Sequence, residues 1–215
     1  MQVLDKMRFC LSVLVFIFSV PVHAAMDDIN RIYRQQPVLK GFDVCLGGGC
    51  AEVRRVAIPD AEWQRVVRLF EGVDGNAERE RRQIAAAIGE LERIVGAKIG
   101  TEADRAGTFG NAGFSNQQDC NDEAINSTSY MRLMREAGLM QLHAIEDMRT
   151  RNFFFSGWPH STAVIHEIKT GQRYAVDSWF YDNGFPATIV PFALWKSGYI
   201  PEDSPVVKPS TNGKR

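Results

Sequence analysis

The hydrophobic spacing of this chain changes once along its length. Over 59–97 and again over 120–137 apolar residues recur at helical intervals, whereas over 161–168 and 173–180 they alternate, imperfectly, in strand fashion. Pro59-Asp60-Ala61-Glu62 reads as a helix start with acidic residues in its first turn, and Trp63, Val66, Val67 and Phe70 then share one face. A second helix is predicted over about 77–97, with Ile84, Ile88, Leu91 and Val95 as its apolar stripe. Arg79, Arg81, Arg82, Glu90 and Glu92 fall mostly on its wet faces, and the charge run at 78–82 reads as a solvated surface. A third helix is predicted over about 120–137, stopped at Gly138, with Ala124, Tyr130, Met131 and Met134 turned to the core. Lys169-Thr170-Gly171-Gln172 separates 161–168 from 173–180, which predicts an antiparallel hairpin. Short elements are also expected at 27–34 and 192–199. Helices first and sheet last is the order of an α+β domain.

The first 24 residues read as a secretory signal. Lys6 and Arg8 supply positive charge, an apolar run follows from Phe9 to Val20, and Val22-His23-Ala24 offers small residues for cleavage. Met1 and Met7 both offer a start. The run is about 12 residues, short of the ~20 that a spanning helix needs. The expectation is therefore an exported protein, periplasmic or secreted, with no stable membrane span after cleavage. One domain of about 175 residues, 25–200, follows, and 201–215 reads as a flexible polar tail. The chain's 25 basic and 26 acidic residues nearly balance, which gives no footprint for nucleic acid.

Cysteine usage carries the chemistry. Cys10 lies inside the signal. Cys45-Leu46-Gly47-Gly48-Gly49-Cys50 can turn tightly enough to join its two sulfurs, and export makes a disulfide the expected state. A two-cysteine metal site lacks a third Cys or a His nearby, so no metal and no cofactor is expected. Cys120 is left unpaired, in Gln117-Gln118-Asp119-Cys120-Asn121-Asp122-Glu123. An odd cysteine in an exported chain points to an intermolecular bridge or a reactive thiol. It is delivered by a long Gly- and Asn-rich loop at 100–118 and stands where a helix begins. The helix dipole and a nearby imidazolium would favour its thiolate, while Asp119, the expected cap, would oppose it.

Among His143, His160 and His166, position favours His160, which follows Trp158-Pro159 at the mouth of the first predicted strand. Asp177 lies in the second, in Val176-Asp177-Ser178-Trp179. The separation of His160 and Asp177 is odd, so a hairpin closed by an even loop puts both side chains on one face. Their offset depends on the turn, and Asp182 and Asn183 are alternative orienters.

Over 117–183, about a third of the chain, these residues resemble the papain-like and transglutaminase-like cysteine-enzyme superfold, and most closely the bacterial transglutaminase-like cysteine proteinases. The chain order Cys120, His160, Asp177, with Cys opening a helix, is that superfold's pattern. Asp177-Ser178-Trp179 is similar to the Asn-Ser-Trp of papain-type enzymes, with the Asp of the transglutaminase-like branch. The resemblance implies a nucleophile-bearing helix packed on an antiparallel sheet and a Cys120-His160-Asp177 triad. Papain-type enzymes carry an oxyanion glutamine six residues before the nucleophile. Here that position is Phe114, and Gln117 and Gln118 are the candidate donors, beside the backbone N–H of Cys120.

The chemistry expected is thiol attack on an amide, with His160 as base, Asp177 as orienter and a thioester intermediate. Water as acceptor makes a peptidase or amidase, and an amine makes a transglutaminase. The substrate class is an amide of a peptide, a protein or peptidoglycan. The competing expectation is a non-catalytic envelope module that keeps the superfold for binding.

Overall fold

Residues 29–72, 75–109, 116–152 and 159–206 are described in a computed structural model. The segment expected to be a signal, Phe114 and Trp158 lie outside them. After a helical stretch at 29–34, two short strands β1 (Phe42–Leu46) and β2 (Glu52–Val56) pair antiparallel around the Cys45–Cys50 segment. Helices α1 (Asp60–Arg68), α2 (Ala77–Ile99) and α3 (Cys120–Glu136) follow. A four-stranded antiparallel meander completes the fold: β3 (His143–Arg151), β4 (His160–Glu167), β5 (Arg173–Asp177) and β6 (Thr188–Pro191). The short helix α4 (Phe192–Lys196) closes it. The class is α+β with antiparallel sheets, as the order of elements predicts.

Each helix is set by its ends. Asn76 caps α2 by accepting the N–H of Arg79, and Gly100, in the left-handed region that glycine tolerates, stops it. The apolar stripes of α1 and α2 meet α3 and one face of the sheet, where Ile84, Ile88, Leu91, Met131, Met134, Ala163, Ile165 and Val176 form the main core. A second cluster of Cys120, Ala175, Trp179, Phe180, Trp195 and Ile200 lies apart from it. Neighbouring strand residues alternate faces, so Ala175 and Val176 serve different clusters.

Three expectations need correcting. Glu92 is buried rather than wet: Gly184 N–H donates to its Oε2 at 3.0 Å. The charge run at 78–82 is not uniformly solvated either. Glu80 is fully buried, where it meets His143 Nδ1 at 2.8 Å and accepts the N–H groups of Gln141 and Leu142. Both carboxylates sit within otherwise polar helix stretches, and they are buried because sheet and loop backbone supplies donors from far along the chain. Finally, the polar stretch after residue 200 begins docked, not free. Ser204 Oγ donates to Phe180 C=O at 2.6 Å, Tyr181 Oη donates to Asp203 at 2.6 Å, and Val206 packs on the second cluster. Residues 207–215 lie outside those described.

Candidate thiol site

The N-terminus of α3 is built by a capping box. Asp119 accepts the N–H groups of Asn121 and Asp122 at 2.9 and 3.0 Å, and Asp122 reaches back to the N–H of Asp119. This leaves the N–H of Cys120, the first helical residue, with no acceptor among the described residues. The Cys45–Cys50 disulfide braces the same turn. In its loop the N–H groups of Gly48 and Cys50 donate to Asp122, and that of Gly49 donates to Asp119. Gly47, Gly48 and Gly49 all have positive φ, which turns these amides toward the helix start. Asp122 therefore completes a Cys45, Cys50, Asp122 cluster without being a metal ligand there. The sulfurs are bonded to each other, and the carboxylate is occupied by amides.

The hairpin register decides how His160 meets Asp177. Ala163 pairs with Val176, so continuing by one residue sets Thr162 opposite Asp177 and leaves His160 two positions beyond. The two side chains share a face on a diagonal that strand twist can bridge. His160 Nε2 lies 2.7 Å from Asp177 Oδ2, with both side chains buried. His160 Nδ1 has no hydrogen-bond partner among the described residues. On the other side of β4, a bulge in β3 between Glu146 and Arg149 shifts the pairing by one residue and puts Arg151 opposite His160.

Aromatic rings enclose the imidazole: Trp179 at 4.5 Å, Phe180 at 5.5 Å and Trp195 at 5.8 Å between centroids. The same three residues pack in the cluster that holds Cys120. The backbone N–H of Ser161, the residue after His160, favours the thiolate form of Cys120. Cys120 is the free cysteine among the described residues and is 8% exposed. No described hydrogen bond joins its thiol to His160. Burial pushes the thiol up to about 12; the Ser161 amide opposes this, and Asp119, Asp177 and Glu123 add to it. Desolvation and three carboxylates therefore favour the neutral thiol, against the helix dipole that favours the thiolate.

Both candidate glutamines take part in loop contacts. Gln117 Nε2 donates to the carbonyls of Ala103 and Asn116, and Gln118 Nε2 donates to Cys45 C=O at 3.0 Å. Both amides tie loops together, which sequence position alone does not reveal. Of the alternative orienters, Asp182 accepts from Arg105 Nη1 and from the N–H of Ala106, and Asn183 N–H donates to Asp104 C=O. His166 lies 3.1 Å from Glu146, and His143 belongs to Glu80.

Several residues around the site carry no local sequence signal. Trp195 Nε1–H donates to Asp177 Oδ2 at 2.7 Å. Arg151 Nη1 donates to the carbonyls of Trp195 and Tyr199 at 2.7 and 3.0 Å. Behind Asp177, Ser178 Oγ donates to buried Glu123 at 2.7 Å, close to buried Glu92 and Asp104. Burial raises Glu92 to about 8 and Asp104 to about 7, and holds Glu123 well above the carboxylate range. Their spacing along the chain follows no local pattern; only docking brings them together. Comparison with protein-family models, curated proteins and solved structures returned no match for this chain.

Proposed function

We propose that this protein is an exported thiol-dependent acyl-transfer enzyme, a peptidase or amidase with Cys120 as nucleophile, His160 as base and Asp177 as orienter. One observation carries the reading. A buried imidazole is hydrogen-bonded to a buried carboxylate through Nε2 while Nδ1 has no hydrogen-bond partner among the described residues, and the next residue, Ser161, has the amide that favours the Cys120 thiolate. That is the inventory a thiol nucleophile requires: a base, a group that orients it and a free ring nitrogen. The Cys45–Cys50 disulfide fits an oxidising compartment, and no helix among the described residues is long and apolar enough to cross a membrane.

In this reading the resting thiol is neutral. Substrate entry closes the gap to His160, Nδ1 takes the thiol proton, and the sulfur attacks the amide carbonyl. The N–H of Cys120 receives the oxyanion. The amine leaves with the proton from His160, and a thioester remains. Water then regenerates the thiol, whereas an amine acceptor would give transamidation. Peptides, proteins and peptidoglycan stem peptides all offer the amide required.

A second reading, a binding module without turnover, is favoured by the closed and neutral state of the thiol. Peptidyl electrophiles that mimic an acyl donor separate the two. Stoichiometric labelling of Cys120, seen by mass spectrometry and abolished by His160→Ala, supports the enzyme. Labelling no faster than that of a free thiol, and indifferent to His160, defeats it.

A further inference from the structure

Asp177 Oδ2 faces two ring nitrogens, His160 Nε2 and Trp195 Nε1, each at 2.7 Å. An indole N–H donates and never accepts, so this oxygen is held as an acceptor. Nε2 of a neutral His160 facing the same oxygen then carries the ring proton, and the lone pair is left on Nδ1, the nitrogen without a hydrogen-bond partner among the described residues. Trp195 is itself fixed. Its side chain is fully buried, Phe192 stacks on it at 5.6 Å, and the Arg151 guanidinium lies 5.0 Å over its ring. Arg151 also donates to the carbonyls of Trp195 and Tyr199, which pins the end of α4 and the turn after it. The bulge in β3 is what turns Arg151 to that face, opposite His160.

We propose that Trp195 is a positioning residue: its indole N–H, braced by Arg151, orients the Asp177 carboxylate and thereby selects the His160 tautomer whose free nitrogen is Nδ1. This rests on the acyl-transfer reading for its consequence, though not for its geometry. The indole does not touch the reacting atoms. It acts through Asp177 on which ring nitrogen is basic. An acyl-transfer site needs that choice made before substrate arrives, because a ring with the proton on Nδ1 has its lone pair on Nε2, facing Asp177 rather than available to the thiol.

The test removes one N–H and little else. Trp195→Phe keeps an aromatic ring, and placing benzothienylalanine at position 195 alone keeps the bicyclic shape with sulfur in place of N–H, so the result does not depend on the smaller ring folding well. ¹⁵N NMR of the imidazole reads the tautomer, and the rate of Cys120 labelling by a peptidyl electrophile at neutral pH reads the consequence. The parent is expected to show His160 protonated on Nε2. Both replacements are expected to mix the tautomers and to slow labelling about tenfold, the effect of one lost hydrogen bond to a charged group. An unchanged tautomer in the benzothienylalanine protein overturns the proposal. Labelling of the parent that is indifferent to His160→Ala overturns the acyl-transfer reading instead, and the NMR comparison still decides the role of Trp195.

Discussion

His160 and Asp177 meet on a strand diagonal, Nε2 to Oδ2 at 2.7 Å, two register positions from direct opposition. The contact depends on the connection at 168–172, closed by the Glu167 N–H donating to Gln172 C=O at 2.8 Å, which sets the pairing of His166 with Arg173. Asp177→Asn keeps the shape but removes the charge that holds the ring. Turnover or probe labelling is expected to fall about 100-fold or more, while simple alkylation of Cys120 by iodoacetamide changes far less. Equal losses in both assays would show that the substitution merely disrupts the fold.

The pH dependence of Cys120 follows from its burial. A thiol raised to about 12 stays protonated through the neutral range. Iodoacetamide should therefore react more slowly with native protein than with the same thiol in the denatured chain, whose pKa is ~8.5. The native rate should still be climbing above pH 9. A plateau below pH 8 would show that a stabilised thiolate is present at rest.

Glu92, Asp104 and Glu123 form a buried acidic group behind Asp177, with Ser178 between Glu92 and Glu123 and with Arg93 as the cation facing Glu92. Their folded pKa values lie above the unfolded ones, so the native state binds more protons. The stability they contribute is complete below about pH 4 and is lost as pH rises through the folded values, about 7 for Asp104 and about 8 for Glu92. Tm should fall from pH 5 to pH 8.5. Glu92→Gln, which can still accept from Gly184, should flatten that slope and raise Tm at pH 8.5 by about 2–4 °C for each kcal/mol regained. A parent Tm that rises over this range would refute the assignment.

The disulfide acts on the thiol helix through backbone amides of its loop, not through its sulfurs. Replacing both Cys45 and Cys50 by Ser should release the Gly48, Gly49 and Cys50 amides from Asp119 and Asp122. The loss in stability should stay below the ~3 kcal/mol of a 15-residue loop. Hydrogen exchange at residues 121–123 should accelerate, and Cys120 should alkylate faster as the helix start frays. Unchanged exchange there would show that the loop does not brace the helix.

Gly89 on α2 stands against the backbone of the loop that follows Asp177. A Cβ there would lie 2.5 Å from Phe185 C=O and 2.8 Å from Gly184 C=O. Gly89→Ala should cost about 1–3 kcal/mol by urea melting, despite the better helix propensity of alanine. A stabilised variant would mean that this loop moves aside freely.

The local elements were legible from the chain because their causes are local. Asp119 followed by Cys120 reads as a cap and a first turn, the stripe through Ile84, Ile88, Leu91 and Val95 reads as α2, and Cys45-Leu46-Gly47-Gly48-Gly49-Cys50 reads as a closed loop. The parity of His160 and Asp177 was legible too, since side chains alternate along any strand. Strands β1, β2, β3 and β6 were not. β2 and β3 carry half-exposed, charge-bearing sequences, Glu-Val-Arg-Arg-Val in β2 for one, and β1 and β6 are only five and four residues long, so each becomes a strand only when a partner supplies the ladder.

Four features were decided by the tertiary structure alone: the diagonal offset of His160 from Asp177, the burial of Glu80 and Glu92, the commitment of Gln117 and Gln118 to loop carbonyls, and the Trp195 hydrogen bond to Asp177. Each joins groups whose partners lie outside their own element. A side chain carries its donors and acceptors in the sequence, but which of them meet, and whether water is excluded when they do, is set by how the elements dock.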